Sequence, residues 1–185
     1  MTRTSDAGAR RIVLVGMMGT GKSSVAARVA GALHRECIDV DVLIESRHGR
    51  SIGSIFADDG EPAFRAIEAG VVGEVLAAPA DVVVALGGGA VLTPSSRSLL
   101  AECEVVVWLR ATPAVLARRL AGDATRPLLA GDPLTRLVAL SAERDDLYRS
   151  VATHVIDVDD LSVDEVVARI VDIAAAATTS PGKRH

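Results

Sequence analysis

Apolar residues along the chain fall into two kinds of pattern. Four short runs are almost continuously apolar and rich in β-branched residues: 12–15 (IVLV), 82–86 (VVVAL), 105–109 (VVVWL) and 154–158 (HVIDV), with a weaker fifth at 36–40 (ECIDV). Such runs leave no face for water and predict parallel strands buried on both sides. Between them, 23–33, 63–76, 113–120, 133–147 and 163–174 repeat their apolar positions at helical spacing. Strand alternating with helix predicts an α/β fold of crossover units, a parallel sheet covered by helices on both faces.

Local punctuation agrees with that division. Thr112-Pro113 and Asp132-Pro133 each supply a cap and a first-turn proline, and Ser162 stands three residues before Glu165, a capping box. No internal repeat is present. Residues 1–10 and 178–185 are polar or small and are expected to be disordered extensions flanking a single domain over 11–177. The stretch 122–132 (GDATRPLLAGD) mixes Gly, Asp, Thr and Pro between two helical patterns and is expected to form a mobile loop over the site.

The length of 185 residues suits one domain with one core, and 49% apolar residues with a mean hydropathy of +0.33 exclude a disordered chain. A net charge of -4 offers no broad phosphate-neutralising surface, and four aromatics (Phe56, Phe64, Trp108, Tyr148) cannot build a row of base-stacking platforms, so nucleic acid is excluded as a partner. No apolar run is long enough to span a membrane and the N-terminus carries no hydrophobic signal segment, which predicts a cytoplasmic protein. Cys37 and Cys103 sit in short apolar runs without a CxxC pair, so they read as small buried hydrophobes rather than as a zinc site or a disulfide.

Only two of the 20 basic residues are lysine, Lys22 and Lys183. Most of the arginines read as solvated surface in a chain biased toward arginine, and against that background Lys22 stands out. It lies in Gly16-Met17-Met18-Gly19-Thr20-Gly21-Lys22-Ser23, which satisfies GxxxxGK[ST] directly between the first predicted strand and the first predicted helix. Glycines there let successive backbone N–H groups turn toward phosphate oxygens, and the helix adds its positive N-terminal end. Lys22 can then reach the β and γ phosphates and the Ser23 hydroxyl can ligate Mg²⁺. Neither lysine is followed by the residues of an NKxD motif, which removes GTP-reading switch proteins from contention.

Metal-assisted phosphoryl transfer needs a carboxylate at a strand end beside the phosphate loop. The run 82–86 ends in Gly87-Gly88-Gly89 and the run 105–109 ends in Arg110, which leaves Asp39 and Asp41, with Asp157 as an outsider. In extended backbone, residues two apart point to the same side, which would set both aspartates at one mouth of the sheet. The bland alternative is that one of them caps a helix beginning near Val42. Gly87-Gly88-Gly89 reads either as a flexible turn or as a place where backbone N–H groups approach a small substrate.

Taken in order, GMMGTGKS, DVD at 39–41, FRAIE with Arg65, GGG at 87–89, RPLL with Arg126 and ERDDLYR with Arg144 resemble the shikimate kinases over about residues 11–157. The resemblance implies a three-layer P-loop kinase domain of the nucleoside-monophosphate-kinase type, with a five-stranded parallel sheet, a helical substrate-binding segment and a lid. It implies ATP-dependent phosphorylation of the shikimate 3-hydroxyl, giving ADP and 3-phosphoshikimate, in chorismate and aromatic amino acid biosynthesis. Asp41 is then expected to orient and deprotonate the attacking hydroxyl, with Lys22 and the lid residue Arg126 completing the catalytic set. ATP is expected on Gly19, Thr20, Gly21, Lys22, Ser23 and Ser24, with Arg126 at its phosphates and Arg119 flanking the adenine. Shikimate is expected on Arg65 and Arg144 through its carboxylate, and on Asp41, Gly87, Gly88 and Gly89. One Mg²⁺ is expected on Ser23, with Asp39 acting through water.

Two arginine forks on one carboxylate fix its orientation better than lysines do, which suits the roles given to Arg65 and Arg144. One departure from the family pattern is the segment Val158-Asp159-Asp160-Leu161, where relatives carry a basic residue bordering the adenine. With few aromatics present, the adenine is expected against Arg119 and aliphatic surface. The enzyme is expected to act as a monomer, with ATP and shikimate as its partners. The alternatives are another small-molecule P-loop kinase, acting on gluconate or a nucleoside monophosphate, and a non-catalytic ATP-binding module.

Overall fold

A computed structural model describes residues 11–79, 81–121 and 132–179. All five predicted strands form: β1 (Arg11–Val15), β2 (Glu36–Asp39), β3 (Val82–Ala85), β4 (Val105–Arg110) and β5 (His154–Asp157). They build one parallel sheet in the order β2-β3-β1-β4-β5. β1 is central, and the chain crosses to one side of it for β2 and β3 and to the other for β4 and β5. The carboxyl end of β1 is therefore a topological switch point, where open parallel sheets bind their ligands.

Seven helices accompany the sheet among the described residues: α1 (Lys22–Leu33), α2 (Val40–His48), α3 (Ile52–Ala77), α4 (Pro94–Ala101), α5 (Pro113–Arg119), α6 (Pro133–Val151) and α7 (Val163–Thr179). Two apolar layers hold them to the sheet. One face buries Val13, Val84, Val106 and Trp108 against α3, α4 and α6, and the other buries Ile12, Leu14, Val83 and Val107 against α1 and α7. The three inner strands β1, β3 and β4 bury nearly every residue, as the unbroken apolar runs predict.

The edges depart from that expectation. β2 and β5 each have one open side, and β5 leaves His154, Val155 and Asp157 exposed. Cys37 is exposed on β2, correcting its reading as a buried hydrophobe, whereas Cys103 is buried.

Three helical stretches lie outside the predicted set. α2 and α4 are short, and their polar faces dilute the apolar period. α3 begins eleven residues ahead of the expected 63–76. It is broken at Gly60 (φ 81, ψ 166) with Pro62 in the following turn, so two helical pieces meet at a kink. The Ser162–Glu165 capping box forms in both directions, with Ser162 N donating to Glu165 Oε2 at 2.8 Å and Glu165 N to Ser162 Oγ at 3.3 Å. Asp132 caps α6 through Leu134 N, while Thr112 caps α5 without a side-chain bond. α7 runs to Thr179, two residues into the expected tail. Residues 1–10 and 180–185, and 122–131 of the expected lid with Arg126, lie outside the described residues. No helix among the described residues is long and apolar enough to cross a membrane.

Candidate active site

A cleft of about 970 Å³ opens above the carboxyl ends of β1, β2 and β3. Its floor is the loop between β1 and α1. Gly16 (φ 141), Gly19 (φ 81) and Gly21 (φ 89) all take left-handed backbone, which places this turn within reach of glycine and few other residues. Gly16 has a second constraint, because a Cβ there would run into the Leu109 carbonyl of β4. Thr20 is buried and its hydroxyl donates to Met17 O at 2.8 Å, so this expected ATP residue braces the turn from inside and does not line the cleft. Gly19, Gly21, Ser23 and Ser24 do line it. The Lys22 ammonium curls back over the loop and donates to Gly16 O at 2.8 Å and Met17 O at 2.9 Å. It thus spans the concavity that the glycines create.

Asp39 and Asp41 both face this cleft, though not for the reason that extended backbone suggests. β2 stops at Asp39 and α2 starts at Val40, so Asp41 already lies in a helical turn. Asp39 is the N-cap, its Oδ1 accepting from Asp41 N at 3.0 Å and Val42 N at 3.3 Å. The capping alternative therefore holds for Asp39, on a helix that starts at Val40 rather than near Val42. Asp157, the outsider, is paired with Arg110 at the far edge of the sheet.

The opposite wall carries the expected arginines and an acid that the sequence reading left without a role. Arg65, on the second piece of α3, donates to Glu68 Oε2 at 2.7 Å and to Glu61 Oε1 at 3.0 Å, and its guanidinium carbon lies 5.8 Å from the Phe56 ring centroid and 5.2 Å from that of Phe64, two rings that pack on each other. Burial alone would lower the Arg65 guanidinium, but the two carboxylates outweigh it and hold it above its ordinary value. Glu68 is 1% exposed, and its Oε1 has no hydrogen-bond partner among the described residues. Burial pushes its carboxyl up and Arg65 pulls it down; Asp41 adds to the rise, and the net direction is upward. The glutamate is the last letter of FRAIE, three residues after Arg65 and so on the same helical face. That spacing was its one sequence signal.

The glycine loop after β3 fits between these groups. A Cβ on Gly87 would lie 2.6 Å from both Asp41 Oδ1 and Glu68 Oε1, and one on Gly89 would overlap the Arg65 guanidinium. Gly88 touches the phosphate loop, its Cβ position 3.4 Å from Gly16 O and from Met18 N. Arg144, buried on α6, reaches the same loop, with Nη1 at 3.4 Å from Gly88 O. Its Nε is buried and has no hydrogen-bond partner among the described residues. Arg119, at the end of α5, lines the cleft and donates to Val158 O at 2.6 Å, so the segment after β5 that departs from the family pattern anchors it through backbone.

The donor set near the phosphate loop suits a hard cation. The Ser23 hydroxyl and the carboxylates of Asp39 and Asp41 are all oxygen donors on one cleft. Among the described residues no group of three or more His, Cys, Asp or Glu forms a cage, and Mg²⁺ bound with nucleotide takes most of its ligands from phosphate and water.

The family model described as SKI, shikimate kinase, matches residues 18–175. A shikimate kinase of Halorhodospira halophila is 48% identical over 163 residues, covering 88% of this chain and 92% of its own. Among solved structures, a shikimate kinase from Acinetobacter baumannii in complex with shikimate superposes with a TM-score of 0.86 at 34% identity, over 92% of this chain and 95% of that one. A gluconokinase from Sinorhizobium meliloti reaches a TM-score of 0.58 at 22% identity over 91% and 93% of the two chains, a likeness of fold alone. With the family model spanning most of the sequence and the identity near one half, the chain belongs to the shikimate kinase family.

Proposed function

We propose that the cleft divides one reaction between its two ends, ATP phosphates on the β1–α1 loop and shikimate on the arginine-lined wall. The chain is a shikimate kinase, a transferase that uses ATP in aromatic amino acid biosynthesis. The shikimate 3-hydroxyl oxygen attacks the γ phosphorus in line, the bond to the β–γ bridging oxygen breaks, and ADP leaves. Asp41 accepts the hydroxyl proton as the new bond forms. Because that proton is lost late, an ordinary carboxylate serves. Lys22 exchanges its two loop carbonyls for phosphate oxygens and neutralises charge as it moves to the leaving group. Arg65 and Arg144 hold the shikimate carboxylate, and the backbone of Gly87, Gly88 and Gly89 meets its ring hydroxyls.

Ser23 would hold Mg²⁺ directly and Asp39 through water, since one Asp39 oxygen is already engaged in the helix cap. The ion, when bound, neutralises the β and γ oxygens. Arg119 would flank the adenine, and Arg126, outside the described residues, would lend its charge to the ATP phosphates. The enzyme acts in the cytoplasm.

The observation that carries these roles is the convergence of Lys22, Asp41, Arg65 and Arg144 on one cleft from four elements distant in sequence. A coupled assay of ADP release with shikimate, gluconate and nucleoside monophosphates tests the reading. Release that depends on shikimate is expected. Equal release with gluconate or a monophosphate, or release indifferent to any acceptor, overturns it.

A further inference from the structure

Tyr148 lies one helical turn after Arg144 on α6 and is fully buried, although it bears the only phenol in the chain. Its ring stacks on Trp108 of β4, centroids 5.5 Å apart and planes at 27°, and its hydroxyl donates to Gly88 O at 2.5 Å. The same carbonyl lies 3.4 Å from Arg144 Nη1, near the outer limit of a hydrogen bond. Gly88 O thus has one strong donor, the phenol, and one distant one, the guanidinium. Burial pushes the phenol well above its ordinary value, so it remains a donor at every working pH.

Without the phenol this half-buried carbonyl would lose its short partner, and the nearest remaining protein donor would be the one to replace it. Here that donor is a guanidinium with charge to lend and an unpartnered Nε. We infer that Tyr148 is a positioning residue for the acceptor: by satisfying the Gly88 carbonyl it keeps the Arg144 guanidinium turned to the shikimate carboxylate. The stacked Trp108 fixes the ring and, through it, the hydroxyl. This inference rests on Arg144 holding the shikimate carboxylate.

Tyr148→Phe keeps the ring and its stack and removes one oxygen. It is expected to raise KM for shikimate by about tenfold while KM for ATP and kcat change by less than about threefold. A purely structural hydroxyl would lower Tm without separating the two KM values. Arg144→Lys alone is expected to raise KM for shikimate, and adding Tyr148→Phe to it is expected to change that KM by no more than about twofold, since the phenol acts through Arg144.

An unchanged KM in Arg144→Lys overturns the carboxylate role and the inference with it. A raised KM there with no selective effect of Tyr148→Phe, or with effects that multiply in the double variant, overturns the inference alone. Should Tyr148→Phe fold poorly, biosynthetic replacement of the single tyrosine by meta-fluorotyrosine places a reporter at this position in an otherwise unaltered chain. Its fluorine NMR signal is expected to move on adding shikimate and to stay in place with ADP alone. A signal indifferent to shikimate overturns the inference.

Discussion

The two ends of the cleft offer their proposed ligands different materials. At the phosphate end the geometry is backbone: three left-handed glycines in one octapeptide, braced from below by Thr20 and continued by the first turn of α1. At the acceptor end it is side chains from α2, α3 and α6, with Arg65 shared by two glutamates and Arg144 beside the carbonyl of Gly88. A backbone site is set once the loop folds. A side-chain site must be assembled by packing, and here it carries a buried acid, Glu68, whose charge depends on its neighbours. The first end should therefore respond to substitution mainly in catalysis, and the second mainly in acceptor affinity and pH dependence.

The largest effect is expected from removing charge at the phosphate end. Lys22→Ala should lower kcat by about a thousandfold, because its charge matters most as the β–γ bond breaks. Asp41→Asn, where the two ends meet, should lower kcat by about a hundredfold to a thousandfold while nucleotide still binds. Steady-state kinetics with nucleotide binding measured separately check both. Near-normal kcat in the lysine variant would break the comparison at its base, and retained turnover in Asp41→Asn would move the proton to another acceptor.

One methyl group placed at each end sharpens the contrast further. In Gly16→Ala the new Cβ meets the Leu109 carbonyl on backbone at φ 141, so nothing nearby can swing aside. A loss of about 1–3 kcal/mol of stability is expected, read by urea denaturation. In Gly89→Ala the new Cβ meets the Arg65 guanidinium, the far end of a long side chain. Arg65 can move, so Tm should hold while KM for shikimate rises by about tenfold. If Gly89→Ala proves the less stable of the two, the acceptor wall is as rigid as the phosphate loop and the distinction fails.

That distinction also explains what could be read in advance. The phosphate loop is contiguous, and strand, glycines, lysine and helix start follow one another in a dozen residues, so sequence alone places it. The inner strands were equally legible because burial on both faces leaves an unbroken apolar run. Edge strands obey the run only on their covered side, which is why Cys37 was misread as buried. At the acceptor end Arg65 and Arg144 came to notice only through a resemblance to a family. Nothing in the spacing of Asp41, Glu68 and Gly87 announces that one Cβ on Gly87 would meet both carboxylates, since the pairing of β2 with β3 sets the end of one strand beside the other. The shared mouth of Asp39 and Asp41 was correctly anticipated from a wrong premise: the backbone there turns into a helix instead of remaining extended.

A smaller effect is expected in how stability depends on pH. Glu68 binds its proton more tightly folded than unfolded, mainly through burial. Between its ordinary value of 4.5 and the raised folded value, the native state therefore holds more protons than the unfolded one, and raising pH through that window removes stability. Glu68→Gln has no such proton to lose. Urea unfolding at stepped pH should show a decline in the parent that is absent from the variant, with all other carboxylates common to both. Identical slopes would mean that Arg65 fully offsets the burial, and that the acceptor wall is as indifferent to pH as the phosphate loop.

The smallest effect should come from Asp39, whose Oδ1 caps α2 and whose second oxygen is proposed to act near the cation. As N-cap of α2 it holds two backbone N–H groups, a task asparagine performs about as well, whereas alanine costs about 0.5–2 kcal/mol. Its proposed second task, steadying a cation through water, needs the negative charge that asparagine lacks. Asp39→Asn should therefore keep the parent's Tm and raise the Mg²⁺ concentration for half-maximal rate by about threefold to tenfold, the share of one solvated carboxylate beside phosphates that dominate the ion's coordination. Asp39→Ala should show the same shift in Mg²⁺ dependence together with a lower Tm. If Asp39→Asn matches the parent in both measurements, Asp39 is a helix cap alone, and the boundary between backbone-built and side-chain-built recognition runs between Asp39 and Asp41.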